Sequence, residues 1–239
     1  MEVLIVLLIV GAVALVIAGA VYHHKKEKER RESLRGLAAE LGWSFSHHDD
    51  RSHDDLYAHF ELFRRGHGRA AYNTLSGPLE IKGRQYDAKA GDFTYKVTSG
   101  TGKSRRTTTY HFSYLIVHLP FGQVPALIIR REGMFDRVAG FFGYGSISFE
   151  SAKFNRRFFV NGDDKKFAYD VLHPRMMEFL METEPPTIDI EYGRMCLSDG
   201  RRRWSRDEFR RQIDWMQRFF GNWPKHVKAD LEARASHHG

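Results

Sequence analysis

The densest run of potential metal ligands is His47-His48-Asp49-Asp50-Arg51-Ser52-His53-Asp54-Asp55, with His59 close behind. Zinc takes imidazole nitrogens and carboxylates, and one loop can fold to offer three or four of them. With His47, His48, His53 and His59 as ligands, the chemistry would be that of a metal-dependent hydrolase. The spacing matches no known metal motif, however, and there is no H-E-x-x-H. Asp and His also collect in polar loops because they suit turns. The segment is therefore expected to be a polar loop, with the metal site as the alternative.

Ser99-Gly100-Thr101-Gly102-Lys103-Ser104 has the outline of a phosphate-binding loop. The full motif needs Gly where Val97 stands, and a helix afterwards whose N–H groups hold the phosphate. A strand follows instead, at Thr107. The segment reads as a hairpin tip, with Lys103, Arg105 and Arg106 free to meet an anion. Cys196 is the only cysteine, so no intrachain disulfide forms, and it lies in a predicted strand as an apolar thiol. No G-x-S-x-G is present. Basic pairs recur at Arg64-Arg65, Arg105-Arg106, Arg130-Arg131, Arg156-Arg157, Arg201-Arg202-Arg203 and Arg210-Arg211. With nearby aromatics they would suit nucleic acid, but no RNA-binding signature accompanies them. No cofactor motif is found.

These residues sit in a chain of 239 with a net charge of +7. Val3 to Val21 reads VLIVLLIVGAVALVIAGAV, with no charge, and is long enough to cross a bilayer. A signal peptide is the rival reading, because Ala18-Gly19-Ala20 resembles a cleavage site; the missing basic n-region favours an anchor. Lys25, Lys26, Lys28, Arg30 and Arg31 follow at once and are the candidate contacts to anionic lipid. By the positive-inside rule the N-terminus is outside and the large domain cytoplasmic. Lys25 to Leu41 reads as a helix with Lys25/Glu29 and Lys28/Glu32 pairs and an apolar stripe of Leu34, Leu37, Ala38 and Leu41, stopped at Gly42.

Strands are expected at Trp43–Ser46, Arg69–Leu75, Pro78–Arg84, Asp92–Thr98, Thr107–Leu119, Ala126–Arg130, Ser146–Phe149, Arg156–Val160, Thr187–Tyr192 and Arg194–Leu197. Their connections suit an antiparallel sheet. In Thr107–Leu119, aromatic Tyr110, Phe112 and Tyr114 alternate with His111, Ser113 and Leu115, giving one aromatic face. Helices are expected at Lys165–Leu172, Arg175–Glu182 and from Ser205, where Ser205-Arg206-Asp207-Glu208 is a capping box. That last helix carries Phe209, Ile213, Met216 and Phe220 on one face. A short helix follows Pro224, and Ala235 to Gly239 is expected to fray.

Two stretches carry a resemblance. Leu41-Gly42-Trp43-Ser44-Phe45 is followed by Gly66-His67-Gly68-Arg69-Ala70-Ala71-Tyr72-Asn73-Thr74-Leu75-Ser76-Gly77. The second signature is Phe154-x3-Phe158-x-Val160-x3-Asp164-x3-Ala168-x3-Leu172-x-Pro174-x2-Met177-x2-Leu180. Together they resemble a group of uncharacterised bacterial single-pass membrane proteins, over most of residues 30 to 200. The matching residues are those of packing and turns. The resemblance implies no activity and no site residues.

The expected class is α+β: a transmembrane anchor (1–22), a basic juxtamembrane helix (23–41), an antiparallel sheet-rich domain (42–204) and a helical C-terminal extension (205–239). The expected function is a non-catalytic, membrane-tethered interaction or scaffold protein without cofactor. Its partners would be the lipid bilayer and a protein, or a second copy of itself. The alternatives are the hydrolase above and a module binding anionic lipid or nucleic acid.

Overall fold

One uninterrupted helix, α1 (Glu2–Leu41), carries both the apolar run and the basic stretch after it. No Pro or mid-helix break separates them, so the two stretches form a single rod about 60 Å long. Gly42 ends it in the left-handed conformation (φ 68°), its N–H directed to the Ala38 and Ala39 carbonyls. The computed structural model describes residues 1–121, 124–133 and 146–236.

The rest of the chain builds an eight-stranded antiparallel sheet in the order β1-β2-β3-β4-β8-β7-β5-β6. The strands are β1 (Ser44–Ser46), β2 (His67–Ile81), β3 (Arg84–Ser99), β4 (Arg106–His118), β5 (Leu127–Arg131), β6 (Phe158–Gly162), β7 (Ile188–Glu191) and β8 (Arg194–Leu197). The two strands expected at Arg69–Leu75 and Pro78–Arg84 are one. Ser76-Gly77-Pro78 runs through as strand, because Gly77 makes room for Trp43. A Cβ on Gly77 would lie 2.4 Å from the Trp43 ring, whose Nε1 donates to the Pro78 carbonyl at 2.9 Å. The real turn is Lys82-Gly83, both with positive φ, the pattern of a tight two-residue hairpin.

Alternation along β3 and β4 sorts side chains onto two faces. Ala88, Ala90, Leu115 and Val117 face the larger core, with Leu34, Leu37 and Ala38 of α1 and Phe209, Ile213 and Met216 of α6 (Arg206–Gly221). Phe93, Tyr95, Phe112, Tyr114 and Ile116 face a smaller aromatic core. Residues 53–64 cover it: α2 (His53–Leu56) and a 3-10 turn (Glu61–Arg64). The aromatic face expected of β4 is this second one.

Beyond Lys96 the sheet narrows. The β2–β3 ladder ends at His67↔Lys96, and β8 pairs only with Leu115 to His118 of β4. Val97–Ser99 and Arg106–Thr108 thus continue as a two-stranded ribbon, closed by a 3-10 turn (Gly102–Ser104). The phosphate-loop outline is a hairpin tip.

Two expected strands change. Residues 146–149 form no strand; the Ile147 N–H donates to the Val160 carbonyl at 2.8 Å. Arg156–Val160 begins inside a helix, α3 (Ala152–Arg157), because the Ser151 hydroxyl caps it by accepting from the Phe154 N–H; β6 starts at Phe158. The helices α4 (Lys165–Val171, capped by Asp164) and α5 (Pro174–Thr183, with Pro in its first turn) fall where the sequence places them. The capping box of α6 is complete. The final helix, α7 (Lys225–Ser236), continues through Ala235 and Ser236, where fraying is expected; His237 to Gly239 lie outside the described residues.

Candidate functional site

The most fully bonded buried polar cluster lies where α1 meets the sheet. Asp92, on β3, is fully buried. A carboxylate taken out of water must be met by charge and hydrogen bonds. Arg30 of α1 does this in bidentate fashion, Nε to Oδ2 at 2.8 Å and Nη2 to Oδ1 at 2.7 Å. Ser113 Oγ donates to Oδ1 at 2.7 Å and Asn73 Nδ2 to Oδ2 at 3.1 Å. Asn73 reaches Asp92 because β2 carries one extra residue between Tyr72 and Leu75, with Asn73 at φ 50°. That bulge switches the face to which β2 side chains point. Ser113 Oγ also accepts from the Trp204 N–H at 2.8 Å, tying the cluster to the chain entering α6.

Further tiers flank this centre. Arg203 donates to both oxygens of Glu27, at 2.9 and 2.7 Å. The hydrogen bond from Arg203 leads in holding the Glu27 carboxyl below its usual range, and the bond to Glu27 likewise raises Arg203. Beside them Tyr72 Oη and His111 Nδ1 are 3.0 Å apart. Burial first, then the charge of Arg203, lowers His111. At the other end of the helix Glu40 meets Arg206 and Arg210 of α6. The second half of α1 is thus fixed at Glu27, Arg30 and Glu40, over about 20 Å of helix. Its first half is the opposite. Every described apolar side chain from Val3 to Val21 is exposed, and none of the most apolar window is buried. Each Leu, Ile or Val gains about 1.5–3 kcal/mol on leaving water, and nothing among the described residues supplies that burial.

The candidate lipid-contact residues divide. Lys25, Lys26 and Lys28 are exposed, with ion pairs Lys25–Glu29 (4.0 Å) and Lys28–Glu32 (3.9 Å) on the helix surface. Arg31 is half-buried. Arg30 corrects the expectation: it turns inward to Asp92, with a side chain 16% exposed, because the buried carboxylate holds it.

The four histidines are not brought together. His47 and His48 lie side by side at the surface, their rings tilted by 35° with centroids 4.1 Å apart. His53 lies in the aromatic core, within 5 Å of the Tyr57, Phe63 and Tyr114 rings, and neither ring nitrogen has a hydrogen-bond partner among the described residues. Burial pushes it down to about 3. His59 rests on Phe60 and Tyr192 and is pushed down to about 4, by burial first and then by the charge of Arg194. Among the described residues no three His, Cys, Asp or Glu side chains converge on a possible metal position. The neighbouring carboxylates have structural partners. Asp50 accepts from the Ser52 N–H and hydroxyl and pairs with Lys89 at 3.1 Å. Burial opposes its ionisation, but these bonds outweigh it and bring the carboxyl down to about 2. Asp54 pairs with Arg69 at 2.6 Å. The buried Cys196 thiol is pushed well up by burial, the direction of an unreactive thiol.

The fold has a solved counterpart. The crystal structure of the mycobacterial trehalose monomycolate transport factor A, TtfA, matches it at a TM-score of 0.52. Identity is 14%, and the match covers 82% of this chain and 95% of that one. What the two share is the α+β architecture. No family model and no curated protein matches the sequence.

Proposed function

We propose that the protein is a membrane-tethered, non-catalytic interaction factor whose sheet domain is carried at a set position against the bilayer. The observation that carries this reading is the division of α1. One half leaves its apolar side chains bare, while the other is bound to the domain through the buried Arg30–Asp92 pair. A flexible tether would need none of that buried polar network. A rigid one is what a protein needs to present a surface to a partner at a defined height. The fold it shares with a transport factor agrees with such a role. The basic residues after the apolar run support a cytoplasmic domain by the positive-inside rule, and the partner in this reading is a protein in or beside the same membrane, or a second copy.

The test is extraction and topology of the full chain. It should stay in the membrane through alkaline carbonate. A cysteine at Gln85 should be labelled by an impermeant maleimide only after the cytoplasmic side is opened. Cross-linking in the native membrane should then capture a specific protein. Extraction by carbonate would end the tether reading, and labelling from the outside would reverse the orientation.

A further inference from the structure

The geometry points to a second membrane contact: the β3–β4 ribbon, Lys96 to Tyr110, rests on the headgroups of the leaflet that α1 enters and binds anionic lipid there. The inference deepens the tethered reading and rests on it.

At the level of Asp92 the helix supplies Arg30. Towards the other end of β3, Trp43, just past the C-terminal end of the helix, lies against Gly77, whose partner on β3 is Ala88. Strand β3 towards Ser99 and helix α1 towards its N-terminus therefore climb the same way. From Asp92 to Ser99 the strand rises about 23 Å at ~3.3 Å per residue. From Arg30 to Val21, the last residue of the apolar run, the helix rises only about 14 Å. The ribbon has length enough to reach the plane where the apolar run ends, even if it crosses the helix obliquely.

The sequence from Phe93 to Arg131 contains no Asp or Glu. The ribbon exposes Lys96, Arg105 and Arg106, which have no ion-pair partner among the described residues. It also exposes two of the few large apolar side chains bare outside α1, Val97 (39%) and Tyr110 (43%). Tyr110 lies flat on Tyr95, ring centroids 5.1 Å apart. Cations beside a tyrosine and a small apolar side chain are what a headgroup layer accommodates. Lys25, Lys26 and Lys28 add charge from the helix on the same side. A lipid surface is thus favoured over a nucleic acid, because the helix already delivers the ribbon to one.

The test uses the full chain in vesicles of phosphatidylcholine, with or without phosphatidylglycerol. A fluorophore is placed on Val97→Cys or, at the far end of the same strand, on Gln85→Cys; buried Cys196 stays unlabelled. Quenching by headgroup-nitroxide lipid should be strong at 97 and absent at 85 in anionic vesicles. It should weaken in phosphatidylcholine alone and in high salt. Each charge removed by Lys96→Gln, Arg105→Gln or Arg106→Gln should weaken the contact about five-fold. Equal quenching at both sites would overturn the inference. So would quenching at 97 indifferent to lipid charge and to the three substitutions. Protection of position 97 in native membranes but not in vesicles would assign the ribbon to a protein partner instead, and also overturn it. In each case carbonate-resistant insertion would leave the tether standing; a chain that carbonate extracts would bring down both.

Discussion

The two faces of the sheet solve the problem of buried polar groups in opposite ways. On the face beneath α1, the Asp92 carboxyl has its partners in place: Arg30, Ser113 and Asn73. On the face beneath residues 53–64, His53 sits among aromatic rings with neither nitrogen bonded among the described residues. It is kept neutral rather than paired. A paired charge fixes two elements in one geometry, since moving either strands the other's charge. A neutral ring among aromatics contributes packing and imposes little direction. Position is therefore fixed between helix and sheet more than between sheet and covering loop.

The helix face is most vulnerable at Arg30. Arg30→Met leaves Asp92 buried and unpaired, and should cost about 3–5 kcal/mol in denaturant unfolding of the full chain. Hydrogen exchange should speed up in residues 27–41 more than in 53–64. If both segments loosened equally, the two faces would not be independent.

Acid sharpens the contrast from the other side. With a folded value of about 3 against 6.5 in the unfolded chain, His53 binds fewer protons when folded between those limits. Stability from this group is complete above pH 6.5 and falls as pH drops, by about 1.4 kcal/mol per pH unit. Glu191, raised to about 6 mainly by burial, acts in the opposite sense between pH 6 and 4.5. His59 adds to the loss below pH 6.5. Comparing His53→Phe with the parent cancels both. The variant should lose about 2 kcal/mol less between pH 7 and pH 5. An unchanged pH slope would show that His53 is protonated within the fold.

Asn73→Gly keeps the backbone conformation of the bulge and removes only the amide bond to Asp92. A loss of about 1.5–3 kcal/mol is expected, the range for a hydrogen bond to a charged group. Ser205→Ala, at the capping box of α6, should cost about 1 kcal/mol. It should leave exchange in α1 unchanged, since Glu40 meets Arg206 and Arg210 rather than the cap.

Features written in local pattern were legible beforehand. The apolar run, the Gly42 stop, the alternation in β4 and the capping box all depend on neighbours within a turn or two, and the structure contains them. Features that depend on distant partners were not. Arg30 read as one cation in a basic run because Asp92 is 62 residues away. The only local hint was a lone carboxylate between Ala90 and Phe93 in a strand. Arg203 likewise read as part of a surface Arg run, yet it belongs to Glu27, 176 residues earlier. Gly77-Pro78 read as a break because its reason, the Trp43 ring, comes from another strand's approach. The helix at α3 was missed because Ser151 as a cap gives a weaker signal than Ser205 with Glu208.

The absence of a break in α1 sets the domain's compass bearing. Each residue of a helix advances the chain about 100° around the axis and 1.5 Å along it. One residue inserted between Tyr22 and Glu27 would swing the whole sheet about 100° around the membrane normal and turn a different flank towards any neighbour in the bilayer. Four inserted residues would restore the bearing to within about 40° while lifting the domain about 6 Å. The spacing of those few residues is thus an angular setting as much as a length.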